Sequence, residues 1–190
     1  MPAPKPPLPL EDAKVLANDL LSTLPSASYP GFSRHATSPT VKLISAERLD
    51  KNGKEASPED VQKSKFHGRM VFRMKAEQYM MNEIGSMHGG CVATLVDNLT
   101  SVAIYLHIAD TEPTTPWAFL GVTSSLSVVY LAAVPLDSWF EVECSVLSIG
   151  SRIAVITADF WLLEGPEGGR VKKTAVGTHT KVDNSFANKL

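Results

Sequence analysis

The stretch NEIGSMHGGCVATLVDN, residues 82–98, sets an amide, a histidine, a double glycine and a lone acid among apolar side chains. Reading on to His107 gives a run that is predicted helical from His88 and about 30 Å long at about 1.5 Å per residue. Val92, Ala93, Leu95, Val96, Leu99, Val102, Ala103, Ile104 and Leu106 make most of it apolar on every side, the profile of a buried helix. Its polar exceptions line up. Thr94, Asp97, Asn98 and Ser101 fall at i, i+3, i+4 and i+7, a narrow stripe on one face. A carboxylate in that setting is costly unless it is paired, hydrogen-bonded or used. Asp97 is thus either a local hydrogen-bonding group or a general base or nucleophile made more basic by desolvation.

The start of the helix carries a second kind of chemistry. Gly89 and Gly90 have no Cβ, so another group can come close to their backbone. The first N–H groups of a helix lack internal partners and carry the positive end of its dipole, a setting that stabilises a developing oxyanion. The same glycines would also serve a tight turn. Gly89 and Asp97 are eight residues apart, about 12 Å along one helix, too far for one carbonyl to touch both. Either one group is idle, or the site joins two copies of the helix in a homodimer.

Outward from the helix, strand patterns occupy 41–49 and 66–77 before it, and 121–132, 139–150, 152–164 and 170–182 after it. Phe140, Val142, Cys144 and Val146 alternate with Glu141, Glu143 and Ser145, as in a sheet with one buried face. The later links, AAVPLD, IGS and EGPEGGR, are short and favour an antiparallel meander. Two strands, one long helix and four strands make an α+β layer fold. The 51–65 stretch is charged and reads as an exposed loop. Residues 1–9 are Pro-rich and read as disordered or polyproline-like. Leu10, Ala13, Leu16, Leu20 and Leu24 form one helical face, and a Pro/Ser/Gly linker follows to Pro39. The boundaries drawn are an N-terminal extension at 1–39, one domain at 40–184 and a tail at 185–190.

Composition narrows the function. The chain has 190 residues, 44% of them hydrophobic, enough for one substantial core. Its 18 Lys and Arg against 20 Asp and Glu, with no dense basic run, speak against nucleic acid as a partner. No apolar run reads as a membrane span, no signal-peptide core is evident, and the acidic N-terminus makes a poor mitochondrial presequence, so a soluble cytoplasmic protein is expected, with mitochondria or peroxisomes as other locations. Cys91 and Cys144 lack CxxC spacing and read as small buried hydrophobes. No histidines have metal-ligand spacing, so neither metal nor cofactor is expected.

NEIGSMHGGCVATLVDNLTSVA followed by GVTSSLSVVYLAAV resembles the hotdog-fold acyl-CoA thioesterases, in the branch of acyl-coenzyme A thioesterase 13 (thioesterase superfamily member 2) and the phenylacetate-pathway enzymes. The resemblance covers roughly residues 40–183 and rests on N-x-x-G-x-x-H-G-G-x(7)-D plus the G-V-T strand. It implies an antiparallel sheet of five to six strands wrapped around one central helix. It also implies a homodimer, further paired into a homotetramer, acting in lipid metabolism on acyl-CoA. In that pattern the Gly89 N–H and the Asn82 side chain polarise the thioester carbonyl. Asp97 of the other subunit activates water or attacks, and Thr123 stands where the family usually has a serine hydroxyl. His88 lies near the thioester sulfur or merely shapes the turn, while His107 and His179 read as structural or exposed. Thr123, Ser125 and Ser127 are expected on one face of their strand, as a site wall or as solvated surface. Gly90 and Met87 are expected near substrate, with Tyr79, Met80 and Met81 as acyl-pocket or core residues. Arg152 is placed at the nucleotide end of CoA, with Arg170, Lys172 and Lys173 as further candidates or plain surface. A dehydratase or hydratase, and a non-catalytic acyl-CoA binding module, are the competing functions.

Overall fold

The computed structural model describes residues 5–26, 28 and 32–185; the expected ends of the chain at 1–4 and 186–190 lie outside them. The elements run α1 (Leu10–Thr23), β1 (Lys42–Leu49), α2 (Pro58–Gln62), β2 (His67–Lys75), α3 (Gly89–Ala103), β3 (Val122–Tyr130), β4 (Trp139–Ile149), β5 (Ile153–Leu163) and β6 (Arg170–Val182), with a 3₁₀ turn, Ile104–Leu106, extending α3. The six strands form one antiparallel sheet in the order β1-β2-β4-β5-β6-β3. It curls around α3, which touches every strand from β2 to β6.

The alternation read from sequence becomes the inner face of this sheet. Phe140, Val142, Cys144 and Val146 of β4 and Ala154, Ile156, Ala158 and Phe160 of β5 are all essentially inaccessible to solvent. They meet Val92, Leu95, Val96, Leu99 and Val102 of α3 in one buried cluster. Each large aliphatic side chain so buried contributes about 1.5–3 kcal/mol, which is what fixes α3 against the sheet. By length and composition the run Gly89–Leu106, with mean hydropathy 1.3, suffices to cross a membrane, contrary to the expectation that no run would. Its apolar faces are those the sheet covers.

Three expectations need correction. The link 131–138 does not close a hairpin. It carries the chain from β3, at one edge beside β6, to β4 beside β2. On the way it is held under the start of α3, where Met87 donates its N–H to the Val134 carbonyl at 2.9 Å and Ala76 donates to Ser138 at 2.9 Å. The Pro-rich segment is anchored from Leu8: its N–H donates to the Ile108 carbonyl, and its own carbonyl accepts from Arg48 at 2.7 Å. The 51–65 stretch is exposed as expected but ordered. Asp50 closes its turn through the backbone of Asn52 and Lys54, and Ser57 caps the short helix α2. The helix α1 forms as read, with Ala13, Ala17 and Leu21 buried in the same cluster as the sheet and α3.

Candidate active site

The turn before α3 is built by its own polar groups. Asn82 Oδ1 accepts the N–H groups of Ile84 and Ser86, both at 3.1 Å, and its amide nitrogen donates to Ser86 Oγ at 3.0 Å. His88 is the N-cap: its Nδ1 accepts the Gly90 N–H at 2.9 Å. His88 thus shapes the turn, and it engages the N–H of Gly90, a residue expected near substrate. Among the described residues no acceptor pairs with the Gly89 N–H, the first donor of α3. Gly89 is pinned from the other side, because Tyr130 Oη donates to its carbonyl at 2.8 Å, and a Cβ there would stand 3.3 Å from the Tyr130 ring. A side chain at this position would press on the Tyr130 ring that holds the Gly89 carbonyl.

The polar stripe of α3 emerges as drawn. Thr94, Asp97, Asn98 and Ser101 are partly open while their neighbours are buried. The stripe faces the β3–β6 end of the sheet. Thr123 Oγ1 donates to Asp97 Oδ1 at 2.5 Å. His179 of β6, fully buried, places Nε2 3.0 Å from Thr123 Oγ1 and 3.3 Å from Asp97 Oδ1. The His179 Nδ1 lies 2.6 Å from Thr100 Oγ1, which itself donates to the Val96 carbonyl at 2.6 Å. Thr100 spends its proton on the Val96 carbonyl and Thr123 spends its own on Asp97, so both hydroxyl oxygens offer lone pairs to the ring, and a neutral His179 donates to one of them. Burial first, then the nearby Lys181 cation, lower the His179 pKa to about 4 against the pull of Asp97, so the ring is neutral near pH 7. The Asp97 side chain keeps 43% of its surface open, and among the described residues its Oδ2 has no partner.

His179 was read as structural or exposed; it is fully buried, and it also lies against the acid. The structural reading holds for His107, which is stacked on Phe66 with ring centroids 4.4 Å apart. Ser125 does not share a face with Thr123. A bulge between them pairs Thr123 with Lys181 but Ser125 with Thr180, and adjacent β6 residues point to opposite faces. Ser125 and Ser127 therefore look away from α3.

Met87 and Met80 are buried in the core cluster and take the filler reading, while Tyr79 is exposed and donates to the Thr37 carbonyl at 3.1 Å. Arg152 is exposed at the β4–β5 turn. Arg170 pairs with Glu141 and Glu143 and lies over Trp161, and Lys173 pairs with Asp159, so both are spent on the sheet. Both cysteines are buried; burial pushes the Cys91 thiol up to about 12 and raises Cys144 as well, which makes neither a nucleophile. Among the described residues no three His, Cys, Asp or Glu side chains gather as a metal site.

Known proteins share the fold of this chain. A family profile described as the thioesterase superfamily matches residues 84–168. Acyl-coenzyme A thioesterase 13 of Homo sapiens is 32% identical over 114 residues, 60% of this chain and 72% of the relative. The crystal structure of zebrafish thioesterase superfamily member 2 superposes with a TM-score of 0.62 at 24% identity, covering 92% of this chain and 98% of that one. A thioesterase protein from Streptococcus pneumoniae, solved with coenzyme A, gives a TM-score of 0.53 at 19% identity, over 75% of this chain and 87% of that one. Both structures share the hotdog fold.

Proposed function

The chain belongs to the thioesterase superfamily and is an acyl-CoA thioester hydrolase, and from that premise we propose that it works at a site shared by two subunits, with Asp97 as the base. The observation that carries this reading is the Asp97–Thr123–His179 cluster, half open at the free edge of β3 and one long helical step from the free Gly89 N–H. Asp97 and Gly89 lie on one continuous helix, so the separation of about 12 Å stands and one carbonyl cannot meet both within a subunit. The strand β3 offers the remedy. Its outer edge pairs with no other strand, and Val122, Val129 and Tyr130 on it are half exposed, unusual for an edge left in water. Antiparallel pairing of β3 with its copy about a two-fold axis sets the Thr123 end of one strand beside the Tyr130 end of the other. Asp97 of one subunit then meets Gly89 of its partner.

In that site the Gly89 N–H and the amide hydrogen of Asn82 not used on Ser86 polarise the thioester carbonyl. Thr123 holds Asp97 Oδ1, leaving Oδ2 to take a proton from water as the water oxygen attacks the carbonyl carbon. Collapse breaks the C–S bond, the electron pair leaves on sulfur, and the proton passes to it to give free acid and CoA thiol. Of the competing enzymes, a dehydratase needs a histidine and an acid on one Cα–Cβ bond; His88 is engaged as a cap, and that favours hydrolysis.

Acyl-CoAs incubated with a thiol reagent test the reading. Asp97→Ala is expected to slow release by roughly 10²–10⁴; equal release from wild type and variant would remove Asp97 from the chemistry. Mixing Asn82→Ala with Asp97→Ala subunits should restore part of the activity, since one of the two sites would be intact. No recovery on mixing would defeat the shared site.

A further inference from the structure

One helical turn beyond Asp97, the polar stripe of α3 runs into a cavity of about 190 Å³. Leu20 of α1, Leu24 just past its end and the exposed Phe119 give it apolar walls, and Asn98, Ser101 and Lys181 give it a polar end. Lys181 is the unusual member. It lies across from Thr123 in the β3–β6 register and on the same face of β6 as His179. Only 4% of it reaches solvent, and among the described residues its ammonium donates to one partner, Ser101 Oγ, at 2.7 Å. Three donor hydrogens thus serve a single hydroxyl in a setting where an unpaired cation is costly. Burial lowers the lysine pKa, and the Asp97 carboxylate opposes that shift. Beside it the buried amide nitrogen of Asn98 has no acceptor among the described residues, its oxygen being taken by Ser33.

We propose that this cavity receives the far end of the acyl group and that Lys181 selects acyl chains ending in a carboxylate. The inference rests on Asp97 as the base, because the cavity begins one helical turn beyond that residue. Ser101 follows Asp97 by about 6 Å along the helix, and at about 30 Å³ for each small group the cavity holds roughly six non-hydrogen atoms. Three methylenes against Leu20, Leu24 and Phe119 and one carboxylate on Lys181 and Asn98 fill it. The carboxylate supplies the charge and the acceptors that both polar side chains lack.

The test compares glutaryl-CoA with its neutral ω-methyl ester and with hexanoyl-CoA, by kcat/KM, on the full chain. Wild type is expected to favour glutaryl-CoA over the methyl ester at least tenfold, and Lys181→Met to lose most of that preference, the glutaryl value falling far more than the ester value. Equal or lower wild-type activity on glutaryl-CoA overturns the proposal, and that ratio decides alone if Lys181→Met does not fold. A Lys181→Met enzyme slowed equally on all three substrates also overturns it, marking Lys181 as a counter-charge for Asp97 and nothing more. Wild type inert on all three, and Asp97→Ala no slower than wild type on those it cleaves, would each instead remove the underlying hydrolase site.

Discussion

Val96 of α3 rests directly on Gly177 of β6: a Cβ built on Gly177 would stand 2.7 Å from Val96 Cγ2. Helix and strand therefore approach more closely than any other residue at 177 would allow. Asp97 is the next residue on the helix, and His179 is two residues along the strand, so this one contact sets how near the carboxylate comes to Thr123 and the imidazole. Gly177→Ala is expected to cost about 1–3 kcal/mol by overpacking, seen as a lower urea midpoint with an unchanged slope. An unchanged midpoint would mean that Val96 yields without strain, and the close contact would not be what positions Asp97.

Thr123 separates the hydroxyl from the methyl in the site. Its proton lies on Asp97 Oδ1 and its oxygen beside His179 Nε2, and the methyl has no part in either contact. Thr123→Ser is thus expected to stay within a few-fold of wild-type kcat, while Thr123→Val, which keeps the shape and loses the hydroxyl, falls by tenfold or more. Steady-state rates on one acyl-CoA decide it. Similar rates for Thr123→Val and wild type would show that Asp97 needs no anchor.

His88 is bound into the fold more than into the chemistry. Its Nδ1 satisfies an otherwise unpaired helix N–H, so His88→Ala is expected to lower stability by about 1 kcal/mol. An Asn at this position can accept the same N–H and should recover most of the loss in thermal unfolding. If Asn restores stability but neither variant retains turnover, His88 also acts on the leaving group.

The order of elements was legible because α3 and the strands announce themselves by period, and the strands after the helix separate at Gly- and Pro-bearing links. The place of β3 was not. Which strands pair is decided by the path of 131–138 under α3, and that path depends on backbone contacts to Met87 and Ala76 that no local pattern encodes. His179 escaped notice for a related reason. Gly177, His179 and Lys181 carry no apolar pattern, yet they face inward, opposite the polar stripe of α3. A polar stripe on a buried helix was the signal; it required a polar strand to meet it. Ser125 was misplaced because one bulged residue reverses every side chain beyond it.

The two buried histidines also set how the fold responds to acid. Burial lowers the His107 pKa to about 3, and burial with Lys181 lowers that of His179 to about 4, both from an ordinary 6.5. Above pH 6.5 neither ring is charged in either state and neither adds pH dependence. Below it the unfolded chain takes up protons that the native rings refuse, so stability falls as the pH drops from about 6.5 towards 4, by up to about 1.4 kcal/mol per pH unit for each histidine. Thermal unfolding at pH 7.5, 6 and 5 should show the loss. His107→Gln, which has no proton to take up, should flatten the slope below pH 6 by about half of the two-histidine contribution, even if it lowers stability at pH 7.5. A variant whose unfolding temperature tracks that of wild type in parallel across this range would mean that His107 is protonated as readily in the fold as outside it.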